Sequence, residues 1–338
     1  MWHRSCWKVS VAALVIVVLA GCAAASDWRS PHYQEHALVG TVWDVPRNME
    51  IDPAIAEDRL TDADFVLLGE THDNPDHHVL QARLIAALTE AARRPAVAFE
   101  MFSVGQQQAL DAHLEARPLD AAGIGPALGW DKTGWPDWDL YQPVAEAALA
   151  AGLSLEAANA DRTTVRQLAM GESGSLDPAL ANRLALDVPI PIPVAEALGE
   201  EIEAAHCGYA PAAMIDGMVQ AQWARDAHMA ARLAELDKTG SGHGAVLIAG
   251  TGHTRHDRGV PLHLERLRPS STITSIGFLE VRPGADRLAD YATPLGADRL
   301  PFDIVWFTPR IDDRDACERF KDSLEAMKHP KTSEDAAD

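Results

Sequence analysis

The run Val66-Leu-Leu-Gly-Glu-Thr-His-Asp-Asn-Pro-Asp-His-His78 brings an apolar stretch up against a carboxylate, with three imidazoles close behind it. Glu70, His72, His77 and His78 are residue types that move protons or ligate metals. Two further apolar runs end in the same way. Ala96-Val-Ala-Phe99 runs into Glu100, and Ala245-Val-Leu-Ile-Ala249 leads through Gly250-Thr-Gly to His253. If the three runs are parallel strands, Glu70, His72, Glu100 and His253 share one sheet edge, where open α/β sheets bind ligands. Two chemistries fit that set: a first shell for a divalent metal ion, or a general acid/base group acting on water or substrate directly. These runs contain no His-x-x-x-His or Cys-x-x-Cys pair to favour the metal.

The elements that must position these residues are legible. Phe65 to Leu68 has the composition of a strand buried on both faces, Gly69 permits the turn, and Asn74 with Pro75 suits the N-cap and first position of a helix. The spacing predicts strands at 65–68, 96–99, 153–157, 245–249, 272–279 and 303–307, and helices near 75–92, 106–116 and 141–151. Strand and helix alternate, so the fold class is α/β: a mostly parallel sheet with helices on both faces. Residues of about 158–244, helical in pattern with the break Val188-Pro-Ile-Pro-Ile-Pro-Val194, are expected as an inserted helical cap. Within the cap Gln222, Arg225, Asp226 and Met229 share a helix face, so Arg225 and Asp226 need buried partners or a ligand. Of the adjacent pair His77 and His78 only one can face the sheet edge squarely, and a helix N-terminus would keep that one neutral.

The chain has 338 residues, with 50 acidic against 29 basic, a formal charge of −21. That balance disfavours nucleic acid and anionic lipid headgroups as electrostatic partners. Arg4 and Lys8, the apolar run Val9 to Ala20 and Leu19-Ala-Gly-Cys22 read as a bacterial lipoprotein signal over residues 1–21, with Cys22 as the acylated first residue of the mature chain. Ala23, rather than Asp, favours the outer membrane, facing the periplasm. Residues 22–45 are expected as a lipid-linked tether, 46–326 as a single domain and 327–338 as a charged tail. Cys207 and Cys317 are too few for a disulfide scaffold, and spacing leaves open whether they pair.

The motifs Gly69 to His78, Phe99-Glu-Met-Phe102, Gln222-Trp-Ala-Arg-Asp-Ala-His-Met-Ala230 and Ala249-Gly-Thr-Gly-His-Thr-Arg-His-Asp-Arg-Gly-Val-Pro261 resemble those of the ChaN-type haem-binding uptake lipoproteins of the Tiki superfamily. They occur in order across most of residues 65–265. The resemblance implies a haem-binding protein of haem and iron uptake, forming a homodimer around two face-to-face haems, supplied by an outer-membrane haem receptor and without chemistry of its own. It implies a tyrosine on the iron, assisted by a histidine of the partner subunit. Of Tyr33, Tyr141, Tyr209 and Tyr291, Tyr209 is the first choice and Tyr141 the second. His77, His78, Arg225, Asp226, Arg255 and His256 complete the candidate haem set, with Arg258 a further cation near a propionate. The same superfamily includes metal-dependent proteases and erythromycin-esterase-like enzymes, so the alternative is a metal-dependent hydrolase using Glu70, His72, Glu100 and His253. A porphyrin also needs an apolar slot and a cation at the rim. Gly129 to Tyr141 offers three tryptophans and Lys132, which serve equally as a plug at the sheet edge.

Overall fold

The computed structural model describes residues 28–172, 178–239, 244–319 and 321. In chain order its elements are β1 (Val42–Asp44), β2 (Met49–Ile51), α1 (Pro53–Thr61), β3 (Phe65–Glu70), α2 (Pro75–Glu90), β4 (Ala96–Ser103), α3 (Gln107–Ala116), α4 (Ile124–Ala127), α5 (Trp138–Ala150) and β5 (Leu155–Asn159). Then follow α6 (Arg162–Ala169), α7 (Pro178–Arg183), α8 (Ile192–Ala205), α9 (Ala212–Thr239), β6 (Ala245–Gly250), α10 (Thr251–Thr254), α11 (Val260–Leu267), β7 (Ile273–Glu280), β8 (Ile304–Thr308) and α12 (Ala316–Arg319). One sheet runs β2-β1-β8-β7-β3-β6-β4-β5. The strands from β8 to β5 are parallel, and the short β1 and β2 add an antiparallel edge.

Alternation along β3 explains why helices cover both faces. Val66 and Leu68 pack with Leu60 of α1 and Leu84, Ile85 and Leu88 of α2, whereas Phe65 and Leu67 pack with Met229 and Leu233 of α9 and Val260 and Leu264 of α11. Every residue of β3 and of β6 is buried, so these strands are apolar throughout until they reach the site. Register sets Glu70 opposite Gly250 and Phe99 opposite Ile248, which aligns the ends of β3, β4 and β6.

Two expectations need correction. Residues 28–45 are part of the folded body rather than a tether. Asp76 accepts hydrogen bonds from the backbone N–H groups of Arg29 (2.8 Å) and Ser30 (2.9 Å), His32 bridges Arg310, and β1 pairs with β8. The inserted stretch is also more than a cap. It forms α6 to α9, and α9, at 28 residues, lies on one face of the sheet. Pro191 caps α8, so the proline-rich break starts a helix. Cys207, after α8, is disulfide-bonded to Cys317 in α12, with their Cα atoms 5.7 Å apart. The signal segment with Cys22 and the tail 327–338 lie outside the described residues. Among those described, no helix is long and apolar enough to cross a membrane.

Candidate functional site

Three strand ends build the site. β3 delivers Glu70, and its penultimate Gly69 is required by crowding: a Cβ there would stand 2.2 Å from Thr254 Oγ1. Glu70 Oε1 accepts from His72 Nδ1 at 2.9 Å, while Oε2 accepts from Gln81 Nε2 at 2.7 Å and lies 3.2 Å from His78 Nδ1. Burial alone would raise the Glu70 pKa, but the charges and hydrogen bonds of His78 and His72 hold it down to about 2. His78 Nε2 also reaches the His72 carbonyl at 3.1 Å.

The adjacent histidines do separate work. His77 Nδ1 accepts from the Thr71 N–H at 2.8 Å, so Nε2 donates to Thr308 Oγ1, also at 2.8 Å. Burial, reinforced by the His78 charge, pushes the His77 pKa down to about 3, which makes it a neutral strut behind the site. His78 is the inward one, yet its pKa is raised. Burial works against its charge, and the Glu70 carboxylate outweighs both burial and the helix N-terminus that was expected to keep it neutral.

Across the edge, Glu100 Oε2 accepts the Gly250 N–H at 2.8 Å, and Oε1 takes a short hydrogen bond from Arg225 Nη2 and lies 3.2 Å from His253 Nε2. His253 Nδ1 meets Asp226 Oδ1 at 2.5 Å. Burial would lower the His253 pKa, but Glu100 and Asp226 raise it to about 9, while burial pushes Asp226 up to about 6 against the pull of His253 and Arg225. Glu100 itself, despite burial, is held well below the usual carboxylate range by His253 and Arg225. Between the two groups His72 Nε2 lies 4.0 Å from Glu100 Oε2. It has no hydrogen-bond partner among the described residues and is not enclosed.

These contacts disfavour the metal reading. The four proposed ligands are close, but the Glu70 and Glu100 carboxylates already accept from His72, Gln81, Gly250 and Arg225, both His253 nitrogens face carboxylates, and Arg225 places a fixed positive charge on Glu100. Among the described residues no group of three or more His, Cys, Asp or Glu is arranged to hold a metal ion.

A cleft of about 620 Å³ opens beside this edge. Glu100 and Arg225 form its floor, Met101, Leu128, Trp135 and Val165 its apolar walls, and Lys132 and Arg162 stand on its lining. Trp135 packs edge-on against His72, ring centres 4.9 Å apart. The other two tryptophans of that loop, Trp130 and Trp138, are buried against Phe102 and Tyr141 and plug the core.

Several expected haem contacts are placed elsewhere. Tyr141 is fully buried, its hydroxyl 3.3 Å from the His72 carbonyl, and burial with the Glu70 and Glu100 charges pushes its pKa far up. A phenolate ligand is therefore disfavoured there. Tyr209 sits in the turn after α8, beside the disulfide, and does not line the cleft. Arg255 is buried and bound to Asp257 (2.7 Å) and the Leu295 carbonyl (2.9 Å), Arg258 is bound to Glu201 (2.8 Å), and His256 to Asp303 (2.7 Å). These three knit the loop after β6 to its surroundings. Sequence reasoning missed Gln81, which fixes Glu70. Its signal was an amide on the inner face of α2 beside Leu80, Leu84 and Leu88. It also missed Arg162, whose position at the start of α6 carries no pattern.

Residues 56–264 match the family model described as haem-binding uptake, Tiki superfamily, ChaN. Among solved structures, one of cofacial heme binding to ChaN of Campylobacter jejuni is 21% identical, with TM-score 0.60, over 78% of this chain and 95% of that one. The type III effector HopBA1 (14% identity, TM-score 0.39, 75% of this chain, 92% of that one) and a mutant of the erythromycin esterase EreC in its open conformation (16%, 0.39, 85% and 87%) are more distant, too distant to carry an argument. No curated protein sequence matches the chain. The likeness to the Campylobacter jejuni structure shows a shared fold.

Proposed function

Because the chain belongs to the ChaN family of the Tiki superfamily, a family of haem-binding uptake proteins, we propose that it binds haem in the cleft beside the β3, β4 and β6 ends. The observation that carries this reading is the pairing of apolar walls with unneutralised cations. Lys132 and Arg162 form no ion pair among the described residues, Arg162 reaching only the carbonyls of Lys132 and Thr133 at 3.4 Å, in a chain of net charge −21. A porphyrin offers the complementary pattern, an apolar disc with two carboxylates. Met101, Leu128, Trp135 and Val165 would take the disc, and Lys132 and Arg162 the propionates. Bound haem would supply an iron centre to be carried; the residues around it would bind and orient it.

The physiological role we assign is haem and iron uptake. A lipid on Cys22 would hold the protein at the outer membrane on its periplasmic side, a homodimer would enclose its haems, and an outer-membrane haem receptor would supply them. Titrating haemin into protein that begins at Ala23 tests the central claim. A saturable Soret band, weakened by Lys132→Glu with Arg162→Glu, is expected; no saturable band ends the reading.

One observation favours a second reading. His72, with Nδ1 on Glu70 and Nε2 open, has the geometry of a general base, and the His253, Arg225 and Glu100 group lies across from it. That arrangement suits hydrolysis of an ester or amide by activated water without a metal. Turnover by chelator-treated protein that is lost in His72→Ala would support it, and no turnover across an ester and amide panel would exclude it.

A further inference from the structure

We propose that a second slot, separate from the cleft, binds a long-chain carboxylate whose head is held by Arg29, Arg83 and the Trp306 indole N–H. The slot, of about 490 Å³, shares no lining residue with the cleft beside the β3, β4 and β6 ends, so the proposal goes beyond the haem-binding reading. Parts of the chain far apart in sequence build it. The N-terminal segment brings Trp28 and Arg29, α1 brings Pro53, α2 brings Val79, Leu80 and Arg83, and β8 brings Trp306. Its apolar wall is unfinished. Trp28 packs on the main core yet stays partly exposed, and Val79, at the start of the second turn of α2, is 38% exposed. Apolar surface left in water beside a cavity of this size suits an alkyl chain.

The polar side of the slot carries donors without enough acceptors. Arg29 forms no ion pair among the described residues; its backbone N–H donates to Asp76. Arg83 lies over the Trp306 ring, 5.3 Å from its centre, and shares its charge with Glu57 at 2.7 Å. The Trp306 side chain is buried, and its indole N–H has no acceptor among the described residues. Buried donors are nearly always paired, so an orphan beside a cavity marks a place for an acceptor. Asp76, the acid on the slot wall, does not cancel the cations, because its two oxygens already accept from the N–H groups of Arg29 and Ser30. Two guanidinium groups and an unused N–H bordering hydrocarbon are the complement of a carboxylate with an alkyl tail. An acyl group on Cys22 would offer the same tail with a neutral oxygen acceptor. Only a free acid carries the charge that the arginines match, and it is the ligand we assign.

The test titrates dodecanoate, below its micellar concentration, into the chain from Ala23 and follows binding by calorimetry. Saturation at one site is expected, with affinity rising about fourfold per methylene from octanoate to dodecanoate. Dodecanol, the same tail without the charge, should bind about tenfold more weakly. Arg29→Glu and Val79→Asp, both at exposed positions, should each weaken dodecanoate about tenfold or more and leave a haemin titration unaltered. In nitrogen-15 spectra the Trp306 indole resonance, assigned by its loss in Trp306→Phe, should move on saturation. No saturable binding, or binding indifferent to both variants, overturns the site. Displacement of dodecanoate by haemin places the acid in the cleft and overturns it as well. An unmoved Trp306 resonance overturns the role of the indole. Full-length protein, its acylation checked by mass, should bind dodecanoate as the shorter chain does. If only the unacylated chain binds, the occupant is the chain's own acyl group and the assignment to a free acid is overturned. Each of these outcomes stands whether or not haemin binds the cleft.

Discussion

Replacing Glu100 by glutamine should expose how much of the fold's stability is held in charge at the sheet edge. The substitution keeps shape and removes one negative charge. That charge sits with its side chain about 1% exposed, between Arg225 at 18% and His253 at 6%. Removing one partner from a buried ion pair costs about 3–5 kcal/mol, because the remaining charges lose their compensation. The titration of His253 points in the same direction. The rise of the His253 pKa from 6.5 to about 9, in which Glu100 is the largest favourable influence, corresponds to about 3 kcal/mol shared between Glu100 and Asp226. The sign is fixed by linkage. A histidine with a raised folded pKa contributes stability that is complete below 6.5 and is lost as pH rises through about 9. The Glu100 contribution is present above its ordinary 4.5 and fades as pH falls below that. Urea unfolding of both proteins at pH 5.5, 7.0 and 9.5 should therefore show a penalty of about 3–5 kcal/mol at the two lower values, shrinking at the highest as His253 discharges. The Arg225 pairing persists there, so some penalty remains. A loss below about 1 kcal/mol at pH 7, or one independent of pH, would refute a charged network.

Further outcomes follow from other contacts. Reduction of Cys207–Cys317, which are 110 residues apart, should cost roughly 2–5 kcal/mol and lower Tm by several degrees, measured by thermal scans with and without reductant. His228 and His263 are buried, and burial pushes each pKa down to about 4 from 6.5. Their neutral forms support the fold above pH 6.5, so stability should fall as pH drops from 6.5 through 4, and His228→Leu should flatten that slope in denaturant titrations.

How much the sequence reveals depends on how local each cause is. The six parallel strands are visible because burial on both faces makes each an apolar run, and the start of α2 because Asn74 and Pro75 are adjacent cues; Asn74 does cap it, accepting from the Asp76 N–H. β1 and β2, three residues each, carry no readable period, and their place in the sheet depends on β8, some 250 residues later. Strand direction was enough to gather Glu70, His72, Glu100 and His253 at one edge. What each does there required knowing its partner. Arg255 and Arg258 look like free cations in sequence, but Asp257 and Glu201 neutralise them, and Glu201 comes from α8, over fifty residues earlier. Three tryptophans in one loop look alike until packing sends two into the core and leaves Trp135 at the cleft.

The bond between Asp76 and the backbone of Arg29 and Ser30 has a consequence for the molecule's orientation. It fastens the N-terminal segment of the chain to the first turn of α2, the turn that begins just past His72. Five residues separate Cys22 from Trp28, a span of about 20 Å when fully extended. With an acyl group on Cys22, the clip would act as a short leash attached at the start of α2, on the sheet edge that carries Glu70 and His72. The ligand would then be presented toward the bilayer, where anything leaving a membrane-embedded donor has only a molecular diameter or two to travel.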